Sequence, residues 1–179
     1  VRLSSSHASR GVLPCVCAAG PARLPTRRVA GVRALVLRAA AALLSVNLLG
    51  RVAVEGVISY HMGGWAPPLG IEYRVDMLNV ALLLLVGFVG LLCVFYALPS
   101  VADEIAENKQ ALFYSAFLVC FTGLLGVTIT GDAFNVFVFL EISSISTYVL
   151  IAMGAGKDRR ALTASYNYLI LGTIGATFF

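Results

Sequence analysis

Gly131-Asp-Ala-Phe-Asn-Val-Phe-Val-Phe-Leu-Glu-Ile-Ser-Ser-Ile-Ser-Thr-Tyr-Val-Leu-Ile-Ala-Met153 is the stretch on which the reading of this chain turns. From Ala133 to Met153 it is long enough to cross a bilayer as one helix, and Glu141 lies near its middle. No basic residue within the stretch neutralises that carboxyl group. Held near a membrane midplane, an ionised carboxylate costs roughly 2.5 kcal/mol or more, so such a residue marks a functional site, and proton or cation handling is its usual use. The rest of the composition agrees with a membrane setting. Of 179 residues, 59% are apolar and only 12% charged, against about 25% charged in an average soluble domain. A chain this poor in charge cannot cover a soluble surface. It predicts an all-α, polytopic transmembrane helix bundle of about five spans.

Working outward from the quoted stretch, three further apolar segments stand out. Leu78–Leu98 is about 31 Å long as a helix and is expected to close at Pro99. Ala111–Thr130 joins Ala133–Met153 through Gly131-Asp132 alone, so these two helices must run antiparallel. Ala161–Phe179 begins a further span and is still apolar at Phe179, as in a fragment of a longer reading frame. Residues 33–50 form the weakest span, because Arg38 interrupts its start; a snorkelling side chain reaching the interface would reconcile the two. Residues 51–75 read as a connector on the outer face. Gly63-Gly64 and Pro67-Pro68 demand turns, the alternation after Leu69 predicts a short strand or hairpin, and Trp65 and Tyr73 suit an interfacial aromatic belt. Residues 76–179 then make up the main transmembrane domain.

Residues 1–32 are rich in Arg, Ser, Ala and Gly and carry no helical or strand period. They read as a basic disordered leader or a misassigned start; by composition they also look like a mitochondrial transit peptide. Arg2, Arg10, Arg23, Arg27, Arg28, Arg33 and Arg38 all precede the first acidic residue, Glu55. No aromatic residue interleaves them, which argues against a nucleic-acid partner. The short loop Lys157-Asp-Arg-Arg160 carries three basic residues, so Lys157, Arg159 and Arg160 are topology anchors on the cytoplasmic side. Counting back, Gly131-Asp132 is outside, 99–110 inside, 51–75 outside and Arg27/Arg28 inside. Cys93 and Cys120 fall within apolar spans as small hydrophobes, and Cys15-x-Cys17 is too closely spaced for a local disulfide or a zinc knuckle. No glycine-rich phosphate loop, CxxC or nucleophile elbow is present, and neither a cofactor nor a metal is predicted.

Around Glu141 the expected polar path runs through Ser144 at i+3 and Tyr148 at i+7, with Ser143, Ser146 and Thr147 as a second small polar face. Hydroxyls beside a carboxyl can pass protons through themselves and through water. The alternative is that these small residues only let helices pack closely. Asp132 is expected to cap the helix carrying Glu141, with an ion-entry role as the lesser alternative, and Asn135 to line a hydrated mouth or face the interface.

At Gly131-Asp-Ala-Phe-Asn-Val-Phe-Val-Phe-Leu-Glu141 the chain resembles the antiporter-like membrane subunits shared by Mrp-type monovalent cation/proton antiporters and respiratory NADH-quinone oxidoreductase. Ser143-Ser-Ile-Ser-Thr-Tyr148 and Lys157-Asp-Arg-Arg-Ala-Leu-Thr-Ala-Ser-Tyr-Asn-Tyr-Leu-Ile-Leu-Gly172 continue the likeness. Gly63-Gly-Trp-Ala-Pro-Pro-Leu-Gly-Ile-Glu-Tyr-Arg-Val-Asp76 resembles the D-type membrane component of Mrp antiporters in particular. The likeness covers roughly 55–179. It implies that Glu141 is a proton-channel residue working with a lysine on a later helix, which lies beyond Phe179. It also implies a bacterial plasma membrane location, partner subunits in a multi-subunit antiporter or respiratory complex, transport of protons with Na⁺ or K⁺, and no flavin, iron–sulfur cluster or nucleotide on this chain. A membrane-bound hydrogenase subunit and a structural or assembly membrane protein are the alternatives.

Overall fold

In the computed structural model, which describes residues 27–65 and 70–178, five helices and one small hairpin follow each other in sequence. They are α1 (Arg27–Glu55), β1 (Ile58–His61), β2 (Glu72–Val75), α2 (Met77–Glu104), α3 (Glu107–Ile129), α4 (Ala133–Met153) and α5 (Arg160–Phe178). Helices α1 to α4 are long and apolar enough to cross a membrane, and α5 adds 19 residues. Consecutive helices pack side by side, with α1 on α2, α3 on α4 and α4 on α5 most extensive.

The bundle is built inside out relative to a soluble protein. Many of its buried residues are small or short, such as Ala30, Ala34, Val52, Val80, Val94 and Ala97, beside the larger Leu83, Tyr114 and Phe121, whereas Leu43, Leu44, Phe88, Tyr96 and Phe134 are exposed. With lipid as solvent, burying a leucine brings no gain, and close backbone approach over small residues holds helices together instead. The α3–α4 seam shows how close that approach is. A Cβ added at Gly123 would lie 2.9 Å from the Phe139 carbonyl oxygen, and one at Gly126 would run into the Phe139 ring.

Three boundaries depart from the sequence reading. First, α1 covers Arg27–Glu55 among the described residues, more than the expected 33–50 at both ends. The arginine lead differs in composition from the span that follows, yet residues 27 and 28 are already helical. Arg38 therefore sits roughly 16 Å along α1 and cannot reach an end. Instead of snorkelling it is buried, 2% exposed, with its guanidinium carbon 3.2 Å from the centre of the Phe121 ring and 4.5 Å from that of Phe117. Gly90 of α2 leaves the room: a Cβ there would collide with Arg38 Nη1 and the Phe121 ring. Second, α2 passes through Pro99 and ends at Glu104. Proline removes one N–H from the ladder, which neighbouring helices make tolerable in membrane spans. The helix end is closed instead by buried Gln110, whose Nε2 donates to the carbonyls of Ile105 (2.9 Å) and Val101 (3.3 Å). Third, α3 starts at Glu107, one turn before the expected Ala111.

The connector folds as the alternation predicts. β1 and β2 pair antiparallel with Ile58 opposite Val75 and His61 opposite Glu72. Gly63 (φ +69°) and Gly64 (φ +79°) take the left-handed region that favours glycine, which turns the chain between the strands. Pro67-Pro68, like Cys15 and Cys17, lies outside the described residues. The second strand docks on the α3–α4 turn, where Gly131 N–H donates to the Glu72 carbonyl at 2.9 Å and Tyr73 bridges to Thr130. Hairpin and turn therefore share one end of the bundle. At the other end Lys157 Nζ meets Glu104 Oε1 at 3.1 Å, so the α2–α3 and α4–α5 connections share the opposite end. This alternation is the one that the loop charges demand.

Candidate functional site

Glu141 projects from the middle of α4, which Asp132 caps: its carboxylate accepts from Phe134 N–H, at a long 3.4 Å. Glu141, Ser144, Ile145 and Tyr148 follow each other at i, i+3, i+4 and i+7, the spacing of one helical face. That face meets α5. Together with Tyr168, Leu169, Gly172 and Thr173 of α5 it lines a cavity of about 20 Å³. The two helices are fixed against each other nearby, where the buried Ser165 Oγ donates to the Tyr148 carbonyl at 2.8 Å. Thr173 Oγ1 donates back to the Leu169 carbonyl at 2.9 Å, so it presents only lone pairs to anything else. The side chains of Glu141, Ser144, Tyr148 and Tyr168 make no hydrogen bond to any described residue. A carboxyl and several hydroxyls therefore converge on one small space.

The other expected members of the polar path lie elsewhere. Ser143 and Thr147 face α3, where Cys120 Sγ lies 3.3 Å from Thr147 Oγ1 and 3.8 Å from Ser143 Oγ. Thr147 and Ser146 also bond back to the carbonyls of Ser143 and Ile142, both at 2.8 Å. Their spacing already contains the reason: Ser143 is two residues from Glu141, about 200° around the helix. These hydroxyls serve the α3–α4 seam. Asn135 is buried on α4 near the hairpin end; among the described residues its Nδ2 is unpartnered, as is the buried Thr130 Oγ1. Lys157, Arg159 and Arg160 are all exposed at the opposite end. Tyr168, Gly172 and Thr173 are absent from the site that the sequence predicts. A polar stripe at i, i+4, i+5 on the following helix was the available signal, but which α4 face it meets is a matter of tertiary packing.

No protein-family model matches the chain. The N component of the NADH-quinone oxidoreductase of Desulforudis audaxviator is 40% identical over 171 residues, covering 94% of this chain and 33% of the relative. This chain is a homologue of the antiporter-like membrane subunits. The D component of the Na(+)/H(+) antiporter of Alkalihalophilus pseudofirmus is 30% identical over 137 residues, covering 76% of this chain and 27% of the relative. Among solved structures, a chain of the membrane-bound sulfane sulfur reductase, an archaeal respiratory membrane complex, superposes with a TM-score of 0.74 at 30% identity, covering 83% of this chain and 29% of that one. The chain thus spans about a third of the length of the curated relatives it matches. Coverage of 94% reaches into residues 1–32, so the similarity is wider than the 55–179 that carry the sequence resemblance.

Proposed function

We propose that this chain is part of a proton-conducting membrane subunit in which Glu141 takes up and releases the transported proton, in a monovalent cation/proton antiporter of the Mrp type. The observation that carries this reading is the cleft. It sets an otherwise unpaired carboxyl group midway along an apolar helix, beside a space lined by hydroxyls. An ionisable group is retained at such a depth for ion handling, and hydroxyls with water let it exchange protons. The activities for which the relatives are named, Na(+)/H(+) antiport and NADH-quinone oxidoreduction, both fit a proton path. The subunit then lies in a bacterial plasma membrane, with Lys157, Arg159 and Arg160 toward the cytoplasm, beside the other subunits of its complex.

A second reading, a proton-pumping subunit of a respiratory NADH-quinone oxidoreductase, is favoured by the 40% identity to the N component of such a complex. One set of everted membrane vesicles, from cells carrying the complete locus, separates the readings. In the first, added Na⁺ or K⁺ collapses an imposed proton gradient; in the second, NADH oxidation builds one. Either activity should fall at least about tenfold in Glu141→Gln, which keeps size and removes the exchangeable charge. Full activity in that variant would leave Glu141 a packing residue and refute both.

A further inference from the structure

Independently of any role for Glu141, we propose that α1 is a conditional membrane span: Arg38 bars it from the bilayer until α2 and α3 close around the guanidinium. α1 has 29 residues and is roughly 43 Å long, against a hydrocarbon core of about 30 Å. Arg33 and Arg51 are exposed and near enough to its ends for their side chains to reach an interface. Arg38 is buried and too far in to do so. An arginine near the centre of an isolated span disfavours insertion on the order of a hundredfold. α1 is also the least apolar of the four helices long enough to cross a membrane. Among the described residues no acidic side chain offsets the charge, because the one ion pair joins Lys157 and Glu104.

The groups that house Arg38 all come from later in the chain. Gly90 of α2 leaves the space, since a Cβ there would collide with Nη1. Phe117 and Phe121, one turn apart on α3, set their ring centres 4.5 and 3.2 Å from the guanidinium carbon. The Phe117 carbonyl accepts from Nη2 at 3.5 Å. Attraction of a cation to an aromatic face is strongest where water is excluded. α1 is synthesised before this cradle exists.

The rest of the seam gives α1 little hold of its own. Its other buried residues are Ala30, Ala34, Ser45 and Val52, which let backbones approach but bring no hydrophobic gain in lipid. The same arginine is therefore a barrier before the bundle closes and a fastening after it. A chain in which α2 and α3 have not come together cannot keep α1 across the membrane, so the position of α1 reports whether the bundle has closed.

The experiment is topology mapping of the complete subunit in its membrane complex, with the native cysteines replaced by alanine. Single cysteines are introduced by Thr26→Cys and Glu55→Cys, on either side of α1, and labelled with a membrane-impermeant maleimide in intact cells and in everted vesicles. In the parent protein the two sites should label from opposite sides. In Phe117→Ala with Phe121→Ala, the fraction labelling from the same side should rise at least about tenfold. Adding Arg38→Leu to that pair should restore opposite-side labelling, and Arg38→Leu alone should retain it. Opposite-side labelling in the double-alanine chain with Arg38 in place overturns the proposal. So does same-side labelling that Arg38→Leu fails to correct, which would assign the effect to lost packing. If the double-alanine chain is degraded instead, Arg38→Leu should restore its abundance in the membrane, and no recovery overturns the proposal equally.

Discussion

Two charged side chains lie deep in this bundle, and they are housed in opposite ways. Arg38 is almost completely enclosed between α1, α2 and α3, its guanidinium over two phenylalanine rings. Among the described residues its one hydrogen bond, to the Phe117 carbonyl, is stretched to 3.5 Å, and Nε and Nη1 have no partner. Glu141 is only half-buried and lies beside a small groove lined by the hydroxyls of Ser144, Tyr148, Tyr168 and Thr173. On the reading proposed for Glu141, depth alone does not make a charge functional. What separates the two is whether anything can exchange with the group. Arg38 is packed against rings and glycine, with cation–π attraction in place of a counter-ion. Glu141 has room and partners.

The sharpest way to break that contrast is to neutralise each charge at constant size. Glu141→Gln should abolish most transport, at least about tenfold, with little change in thermal stability in detergent. Arg38→Met should do the reverse. Replacing even a paired buried charge by apolar side chains of similar volume is often neutral or stabilising by about 1–4 kcal/mol, and Arg38 has cation–π contacts in place of a counter-ion, so the melting temperature should hold or rise and transport should persist. A large loss of transport in Arg38→Met would make Arg38 part of the ion path and collapse the distinction.

Crowding the glycines tests the packing side of the comparison at smaller scale. Gly126→Val forces the Phe139 ring aside and should cost roughly 1–3 kcal/mol of stability, read from a thermal melt of the purified complex. Gly90→Ala meets Arg38 and Phe121 in the same way and should cost a similar amount. Combined with Arg38→Met, that penalty should shrink, because a flexible thioether yields where a guanidinium held over rings does not; an unchanged penalty would assign the clash to Phe121. The smallest effect belongs to Lys157→Ala. The Lys157–Glu104 pair is solvent-facing, with 68% and 55% of the two side chains exposed, and its loss should change stability by less than about 1 kcal/mol.

Much of this arrangement was legible in the residues. The i, i+3, i+7 spacing places Glu141, Ser144 and Tyr148 on one face, and the structure puts all three on the same cleft. The Gly131-Asp132 link required a helical hairpin, and the glycine pair at 63 and 64 required a turn. Arg38 escapes a reading that draws helix limits at composition changes: with the helix starting at 33, an arginine at 38 lies near an end. The helix already runs from Arg27, which puts Arg38 well inside it. The α5 half of the cleft was not legible for a different reason. Tyr168 and Thr173 are ordinary polar residues of a membrane helix until packing against α4 decides what they face.

The hairpin has a mechanical consequence. By binding Gly131 and Thr130 through backbone groups, β2 ties the start of α2 to the α3–α4 turn with bonds that are independent of side-chain rotamers. At the far end the helix pairs are linked across their connections only by an exposed lysine and glutamate among the described residues. The two ends of the bundle are thus joined by different kinds of bond: backbone hydrogen bonds at the hairpin end, and a solvent-facing ion pair between the two connections at the other. Added salt screens the second and leaves the first untouched.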